Sequence, residues 1–166
     1  MAAMSGWRAM ALAGVVALGA TGGSQAQQTV GNWVVQHAPD RFGDGGTDIA
    51  ITGDGTMAFA IRCIRREWSL ALMDVSADPK PLQVSDTFYL LLKVDKYDAK
   101  AALGRSISPR LIQIETTPVM VSSLLGGETL AVRVNDPAHV VSEFSFPLKG
   151  ARRALSQHMK NCPGVE

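Results

Sequence analysis

Short stretches in which apolar and polar residues alternate follow one another along most of the chain. Side chains alternate between the two faces of a β-strand, so each stretch predicts a strand with one buried face. The clearest turn is Asp54-Gly55, because this dipeptide accepts the positive backbone angles of a tight hairpin. The predicted strands cover residues 33–36, 48–53, 56–64, 68–75, 87–95, 110–116, 128–135 and 140–146.

Three segments between these strands have a weaker pattern. Residues 27–32 form a short polar lead, and residues 96–109 are polar without a recognisable period. Residues 119–125 fit either a strand or a short helix, which Gly126-Gly127 would end. The side chains that the alternation places inward are Trp33, Val35, Ile49, Ile51, Met57, Phe59, Ile61, Cys63, Phe88, Leu90, Leu92, Val94, Ile112, Ile114, Leu130, Val132, Val134, Val140, Ser142, Phe144 and Phe146.

The last strand is predicted to run directly into a helix. Pro147 suits a first helical position, where its missing N–H costs nothing. Beyond it, apolar residues recur at steps of three and four, which is typical of a helix with one buried face. These residues are Leu148, Ala151, Leu155, Met159 and Cys162. We therefore predict a mainly β fold, an antiparallel sandwich or bent meander of seven to eight strands with one C-terminal helix packed on it.

The first 26 residues are typical of a secretory signal peptide. Arg8 supplies a positive charge, residues 10–20 are apolar, and Ser24-Gln25-Ala26 fits the small-x-small cleavage rule. The apolar run is short for a membrane span, although an uncleaved anchor is the alternative. We predict a mature chain that starts near Gln27, forms one β-rich domain over residues 27–166, has no membrane span, and is periplasmic or secreted.

Charge is balanced in the predicted mature chain. The full sequence has 16 basic and 15 acidic residues, and removal of Arg8 with the signal leaves 15 of each. Binding to nucleic acid depends on clustered positive charge. We therefore predict no nucleic-acid partner.

Cys63 and Cys162 are the only cysteines, so only one intramolecular disulfide is possible. Export would permit this bond to form. A closed loop of about 100 residues corresponds to roughly 4–5 kcal/mol in the chain-entropy model. Two free buried thiols are the alternative. The cysteines lie too far apart in sequence for a Cys-x-x-Cys redox motif.

The segment from residue 40 to residue 48 is a candidate cation-binding loop. Asp40, Asp44 and Asp48 stand four residues apart with glycines between them, and carboxylate oxygens are ligands of hard cations. The spacing does not match an EF-hand loop. Because surface loops commonly contain Asp and Gly, an ordinary loop is the alternative.

Four arginines are candidate contacts for an anion or a partner. Arg62 and Arg133 are predicted to point away from the core on their strands and could together bind an anion. Arg152 and Arg153 lie on the basic side of the predicted last helix and could dock an acidic partner. Solvated charged residues on the outside of a strand or helix are the alternative for all four.

The sequence offers little support for catalysis. His37, His139 and His158 are scattered, without the spacing of a metal-binding helix, and there is no Gly-x-Ser-x-Gly elbow. We predict no catalytic residue, no metal and no cofactor. A binding protein is favoured over an enzyme.

Several of these features together resemble known exported families. They are Trp33 near the mature start, the acidic loop at residues 40–48, Arg62-Cys63, and Phe146 followed by Gly150, Ala154-Leu155 and Cys162. The pattern resembles small exported proteobacterial proteins of the type VI secretion-associated accessory family, which includes lipoproteins, and more loosely the invasion-associated locus B family. These motifs imply a bridge and a packed helix and carry over no catalytic residue. The chain lacks the lipid-attachment cysteine of the lipoprotein members.

These observations lead to three hypotheses for function. The first is an exported, non-enzymatic interaction module, accessory to envelope or secretion machinery, with an unknown protein partner in the envelope. The second is a small hydrolase of an envelope polymer, or an inhibitor of one, which requires a deep cleft where Asp and Glu side chains converge. The third is a calcium- or anion-binding module.

The cysteine assignment can be checked by intact mass spectrometry of the exported protein. Reduction should add about 2 Da, one for each thiol formed, because a disulfide holds two hydrogens fewer than two thiols. The same spectrum should give a mass that starts near Gln27. An unchanged mass on reduction would contradict the bridge, and the full-length mass would contradict cleavage.

Overall fold

The computed structural model describes residues 26–39, 46–138, 140–156 and 162. This part of the chain contains ten strands and two short helices. The strands are β1 (Ala26–Val30), β2 (Trp33–Ala38), β3 (Thr47–Gly53), β4 (Met57–Ile64), β5 (Glu67–Asp74), β6 (Thr87–Val94), β7 (Lys100–Ser108), β8 (Leu111–Ile114), β9 (Thr129–Asn135) and β10 (Val141–Pro147). The helices are α1 (Pro118–Gly126) and α2 (Ala151–Leu155).

All ten strands belong to one antiparallel sheet, in the order β1-β2-β3-β4-β5-β8-β7-β6-β9-β10. The first five strands are neighbours in chain order. The chain then crosses from β5 to β6, returns through β7 and β8 to meet β5, and crosses again through α1 to β9. The mainly β, antiparallel prediction is confirmed.

The sheet bends so that its two halves bury the same face against each other. Phe59 on β4 and Phe146 on β10 meet across this interior, with ring centroids 5.6 Å apart, and β10 also approaches β3. Such a tilted aromatic pair adds about 0.5–1.5 kcal/mol to the burial of the two rings. The largest fully buried side chains are Trp33, Phe59, Ile61, Leu70, Leu72, Leu90, Ile114, Leu124, Leu130, Phe146, Leu148 and Leu155.

The two ends of the bent sheet are covered differently. At one end α1 follows β8 and α2 follows β10, and α2 packs on β1, β2 and β3 as well as on α1. At the opposite end the main cover is the β5–β6 connection, residues 75–86. That connection is held by backbone hydrogen bonds from Leu82 N to Pro109 O and from Ser85 N to Ser106 O, each 2.9 Å. We call these the helix end and the loop end.

Residues 119–125 form a helix, which resolves the ambiguity of the sequence pattern. The Thr117 hydroxyl accepts a hydrogen bond from Met120 N at 3.3 Å, and Pro118 occupies the first turn. A threonine N-cap followed by proline is a helix start signal. Val121, Leu124 and Leu125 are buried in the core, so tertiary packing supports the short helix.

The predicted numbers of strands and helices are wrong: the described residues form ten strands and two helices, and seven to eight strands and one helix were expected. The sequence pattern predicts a polar lead in place of β1, because Gln27, Gln28 and Thr29 of this edge strand are polar and exposed and only Val30 packs against the core. β7 was missed because its inward positions are Ala102, Gly104 and Ser106, which are small. Gly104 is required there, since an added Cβ would lie 2.6 Å from the side chain of Ile112 and 2.7 Å from that of Leu90.

The predicted inward face of β3 is also wrong. Asp48, Ala50 and Thr52 are buried, whereas Ile49 and Ile51 are only half-buried on the other face. The neighbouring strands determine this register, because Ala50 is paired with Val35 and Ile61, both of which point inward. Small residues on β3 suit a strand that α2 packs against.

The final helix begins later than predicted. Pro147 is the last residue of β10, paired with Thr129, and Leu148 N donates to Glu128 O at 2.7 Å. Gly150 then turns the chain with φ +91°, and the helix starts at Ala151. Because Leu148 N is held by the sheet edge, the chain cannot enter a helix at Pro147. Met159 lies outside the described residues.

The outermost positions of the predicted last strand also differ from expectation. Phe146 is buried, and Ser142 and Phe144 are half-buried on the inner face. Val140 precedes the strand and is exposed. Across the described residues, no helix is both long and apolar enough to cross a membrane.

Substitution of Gly104 by Ala should destabilise the protein by about 1–3 kcal/mol, because the new methyl group would collide with Ile112 and Leu90. Urea unfolding measures the difference. Gly126→Ala is the matched control: a Cβ there meets nothing within 4 Å, and alanine favours the helix, so stability should stay the same or rise by up to about 1 kcal/mol. Equal effects at both sites would contradict the packing at β7.

Candidate functional site

A disulfide joins Cys63 on β4 to Cys162, with Cα atoms 5.9 Å apart. Both cysteines are buried. The predicted pairing is therefore confirmed, and the described part of the chain has no free cysteine. The bond attaches the segment beyond α2 to a central strand at the helix end, which is a structural role.

Asp48 lies beside this bridge, in register with both His37 and Cys63. Its side chain is buried, and His37 Nδ1 pairs with its Oδ1. The carboxylate therefore points into the fold. Asp40 and Asp44, the other two members of the predicted cation loop, lie outside the described residues. Within those residues, no group of three His, Cys, Asp or Glu side chains could hold a metal ion.

Arg62 points away from the core, as predicted, but it is buried between Ile49 and Ser69, with only 8% of its surface exposed. Its Nε donates to Ser69 Oγ at 3.1 Å, and Nη2 has no hydrogen-bond partner among the described residues. Burial lowers the pKa of Arg62 from its ordinary value. The alternative of an exposed, solvated arginine does not apply at this position.

Arg133 is on β9, so the strands β5, β8, β7 and β6 lie between it and Arg62. At about 4.8 Å per strand, this is roughly 24 Å along the sheet. The structure therefore does not bring the two arginines together. The Arg133 Nε donates to Glu143 on β10 at 2.6 Å in an exposed ion pair. Arg152 and Arg153 are exposed on α2, consistent with either a solvated or a docking face.

Another surface, which the sequence reasoning did not single out, is the solvent face of strands β7, β6, β9 and β10. Cross-strand pairing places Leu103, Tyr89, Asn135 and Val141 in one row across the four strands. The next row is Ala101, Leu91, Arg133 and Glu143. We call these eight residues the Tyr89 face.

The apolar members of the Tyr89 face are unusually exposed. Tyr89 is 65% exposed, Val141 56% and Leu103 41%, although all three lie within strands. A shallow groove of about 520 Å³ runs beside the row, from Tyr89 and Leu103 to Glu115 and to Met120 at the start of α1. Contiguous exposed apolar residues with a polar rim are typical of interaction sites.

A signal for this face is present in the sequence. Residues 88–92 read Phe-Tyr-Leu-Leu-Leu, which is apolar at positions of both faces. In a strand with one solvated face, the positions of Tyr89 and Leu91 are expected to be polar. The cross-strand neighbours Leu103 and Val141 cannot be recognised without the register, because they are distant in sequence.

Two acidic side chains, Asp54 and Asp74, accept hydrogen bonds within their own turns. Asp54 Oδ1 accepts hydrogen bonds from Met57 N at 2.8 Å and from Thr56 N and Oγ1 at 2.9 Å. The Met57 bond, then those from Thr56, lower the pKa of Asp54. Asp74 Oδ1 likewise accepts from Ser76 Oγ at 2.6 Å and Ser76 N at 2.9 Å, which lowers the pKa of Asp74.

The hydrolase hypothesis requires a deep cleft in which several Asp and Glu side chains converge. The groove beside the Tyr89 face has one acidic side chain, Glu115, in its lining. His139 and His158 lie outside the described residues.

Comparison with known proteins shows that the fold of this chain is similar to that of a solved structure. No family model matches the chain, and no curated protein matches it. Among solved structures, the chain is similar to the crystal structure of invasion associated protein B from Bartonella henselae, with a TM-score of 0.59 and 15% sequence identity; the match covers 81% of this chain and 96% of that one. This similarity of fold agrees with the resemblance to the invasion-associated locus B family. The resemblance to the type VI secretion-associated family has no such support.

Asp54→Ala should destabilise the protein at pH 7, because the β3–β4 turn loses its hydrogen-bond acceptor. We expect a loss of roughly 0.5–1 kcal/mol in the free energy of unfolding, since Asp54 is exposed and solvent weakens its interactions. The folded-state pKa is lowered, so the wild-type carboxylate contributes above the unfolded pKa of about 3.8 and loses its effect as pH falls below that value. Urea unfolding at pH 7 and pH 3 should therefore show a smaller difference at pH 3. Asp98→Ala is the control, because Asp98 is an exposed aspartate in the β6–β7 connection. A difference that grows in acid would contradict the assignment.

Proposed function

We propose that this protein is an exported, non-enzymatic binding module of the cell envelope, and that it contacts a protein partner through the Tyr89 face. The observation that carries the proposal is the exposed row Leu103, Tyr89, Asn135 and Val141. Aromatic residues and arginine are enriched at the centre of protein interfaces, and this face presents Tyr89 beside Arg133.

The rigidity of this face supports a role in recognition. Each residue of the face belongs to a strand that is hydrogen-bonded on at least one side, and β6 lies between β7 and β9 near the middle of the four-strand surface. The opposite face of the same strands carries core residues such as Leu90 and Val134. Binding would therefore order few additional groups, which keeps the entropy cost of association low.

Export is supported by the predicted signal peptide and by the disulfide, which persists in oxidising compartments. The fold is shared with a protein whose name associates it with invasion. Both observations fit a site of action outside the cytoplasm. The balanced charge favours a partner that is recognised by shape and apolar contact over one recognised by charge alone.

Site-specific photo-crosslinking in the producing cell tests this proposal. A benzophenone side chain in place of Tyr89 should yield an adduct of defined mass with one envelope protein. Tyr97 is the matched control, because it is also a tyrosine with 65% exposure but lies in the turn after β6. The same probe at Tyr97 should give no such adduct.

A charge substitution provides the second measurement. Leu103→Asp should reduce the crosslink at position 89 at least about tenfold, because it places an unpaired charge in the apolar row. Its melting temperature should change little, since Leu103 is exposed. Equal adducts at positions 89 and 97, or no adduct at 89 under several growth conditions, would contradict the proposal.

A further inference from the structure

The loop end contains a cavity that the proposed binding function does not use. It has a volume of about 170 Å³ and lies between the two halves of the bent sheet. β4, β5 and β8 contribute Met57, Leu72 and Ile112 from one half. β6, β9 and β10 contribute Phe88, Val134 and Phe144 from the other half.

The wall of this cavity is apolar because it is made of inward-facing residues. Leu72, Phe88, Ile112 and Val134 belong to the core, and Phe144 packs against it. An apolar cavity of about 150 Å³ is large enough to bind a benzene ring. The space therefore fits an apolar group of about six carbon atoms, without displacement of the core.

The mouth of the cavity is charged. Asp74, Lys80, Arg110 and Asp136 line it, two of each sign. Asp74 accepts hydrogen bonds from Ser76, and Asp136 Oδ1 accepts from Val140 N at 2.8 Å, so both carboxylates are engaged by their own turns.

The two cations have more unused hydrogen-bonding capacity. Lys80 makes no hydrogen bond or ion pair with the described residues. Arg110 makes one long hydrogen bond with its side chain, from Nη1 to Ser76 O at 3.5 Å, and its charge contributes, after the Ser76 hydrogen bonds, to the lowered pKa of Asp74. An ammonium has three donors and a guanidinium has five. The donors that remain at the mouth therefore suit a carboxylate or another small anion.

The cover of the cavity is held in place. Leu82 lines the cavity, and its backbone N donates to Pro109 O at 2.9 Å. The Ser106 hydroxyl donates to Gln83 O, and Ser106 N donates to Asp86 O at 3.0 Å. The 75–86 connection is thus fastened to the end of β7 and to the β7–β8 turn, which keeps the cavity formed before a ligand arrives.

We propose that the loop end binds a small apolar carboxylate, with the hydrocarbon part against Phe88, Ile112 and Phe144 and the carboxylate between Lys80 and Arg110. The unused donors of Lys80 and Arg110, together with the size of the cavity, define this class of ligand: an aromatic or branched acid with about six apolar carbons. The site lies on the inner face of the sheet at its loop end, whereas the Tyr89 face is on the outer face. A ligand could therefore bind while the partner surface remains free.

Phenylacetate is the probe, with benzylamine and benzyl alcohol as comparators of similar shape. Titrations followed by NMR should show saturable shifts for phenylacetate, centred on the methyl groups of Met57, Leu72, Ile112 and Val134. Benzylamine should bind at least about tenfold more weakly, because its ammonium would meet the donors of Lys80 and Arg110 while Asp74 and Asp136 are engaged by their own turns. Equal or stronger binding of benzylamine, shifts centred elsewhere, or no saturable binding of phenylacetate at millimolar concentration would overturn the proposal.

Two variants test separately how the two cations and the apolar space contribute to binding. Lys80→Gln combined with Arg110→Gln should weaken phenylacetate about tenfold while leaving benzyl alcohol nearly unchanged. Ser142→Leu, at a half-buried lining position, should fill the cavity and remove binding of both compounds, with an unchanged or raised melting temperature. Lys93→Gln, an exposed lysine on the outer face, is the control and should leave phenylacetate binding intact. Retained phenylacetate binding by a folded Ser142→Leu variant would overturn the assignment of the site.

Discussion

One face of the sheet is buried, and it packs mainly against the same face of the other half of the bent sheet. The contact between Phe59 and Phe146 joins strands that are far apart in the sheet order, β4 and β10. Both rings belong to one cluster of buried apolar side chains that draws on strands of both halves. The helices are short because the sheet has already covered most of the interior, and they complete the cover at one end.

Alternation predicted the strands whose inward residues are large and whose outward residues are polar. Trp33 and Val35 on β2, and the series on β4 and β9, were assigned to the correct face on this basis. Alternation did not predict the strands or faces whose inward residues are small. Gly104 and Ser106 on β7, and Ala50 on β3, carry little hydrophobic signal, yet their neighbours across the strands fix them inward.

The Tyr89 face could not be predicted, because it depends on strand pairings that one sequence does not specify. Leu103, Tyr89 and Val141 lie in one row only because three strand pairings align them, with Asn135 between Tyr89 and Val141. The disulfide, in contrast, was predictable, because two cysteines permit only one pairing. Asp48 illustrates the opposite case: its place in a run of Asp and Gly suggested an exposed ligand, but its strand register turns it toward His37 and the interior.

The covalent bond also imposes an order on biogenesis. Cys63 belongs to the fourth of the ten described strands, and its partner Cys162 lies 99 residues later, beyond the last of them. A ribosome therefore finishes every element of the sheet before the second thiol exists. The bond can secure the finished domain, but it cannot guide the pairing of the early strands, which must find their register by side-chain packing and turn geometry alone.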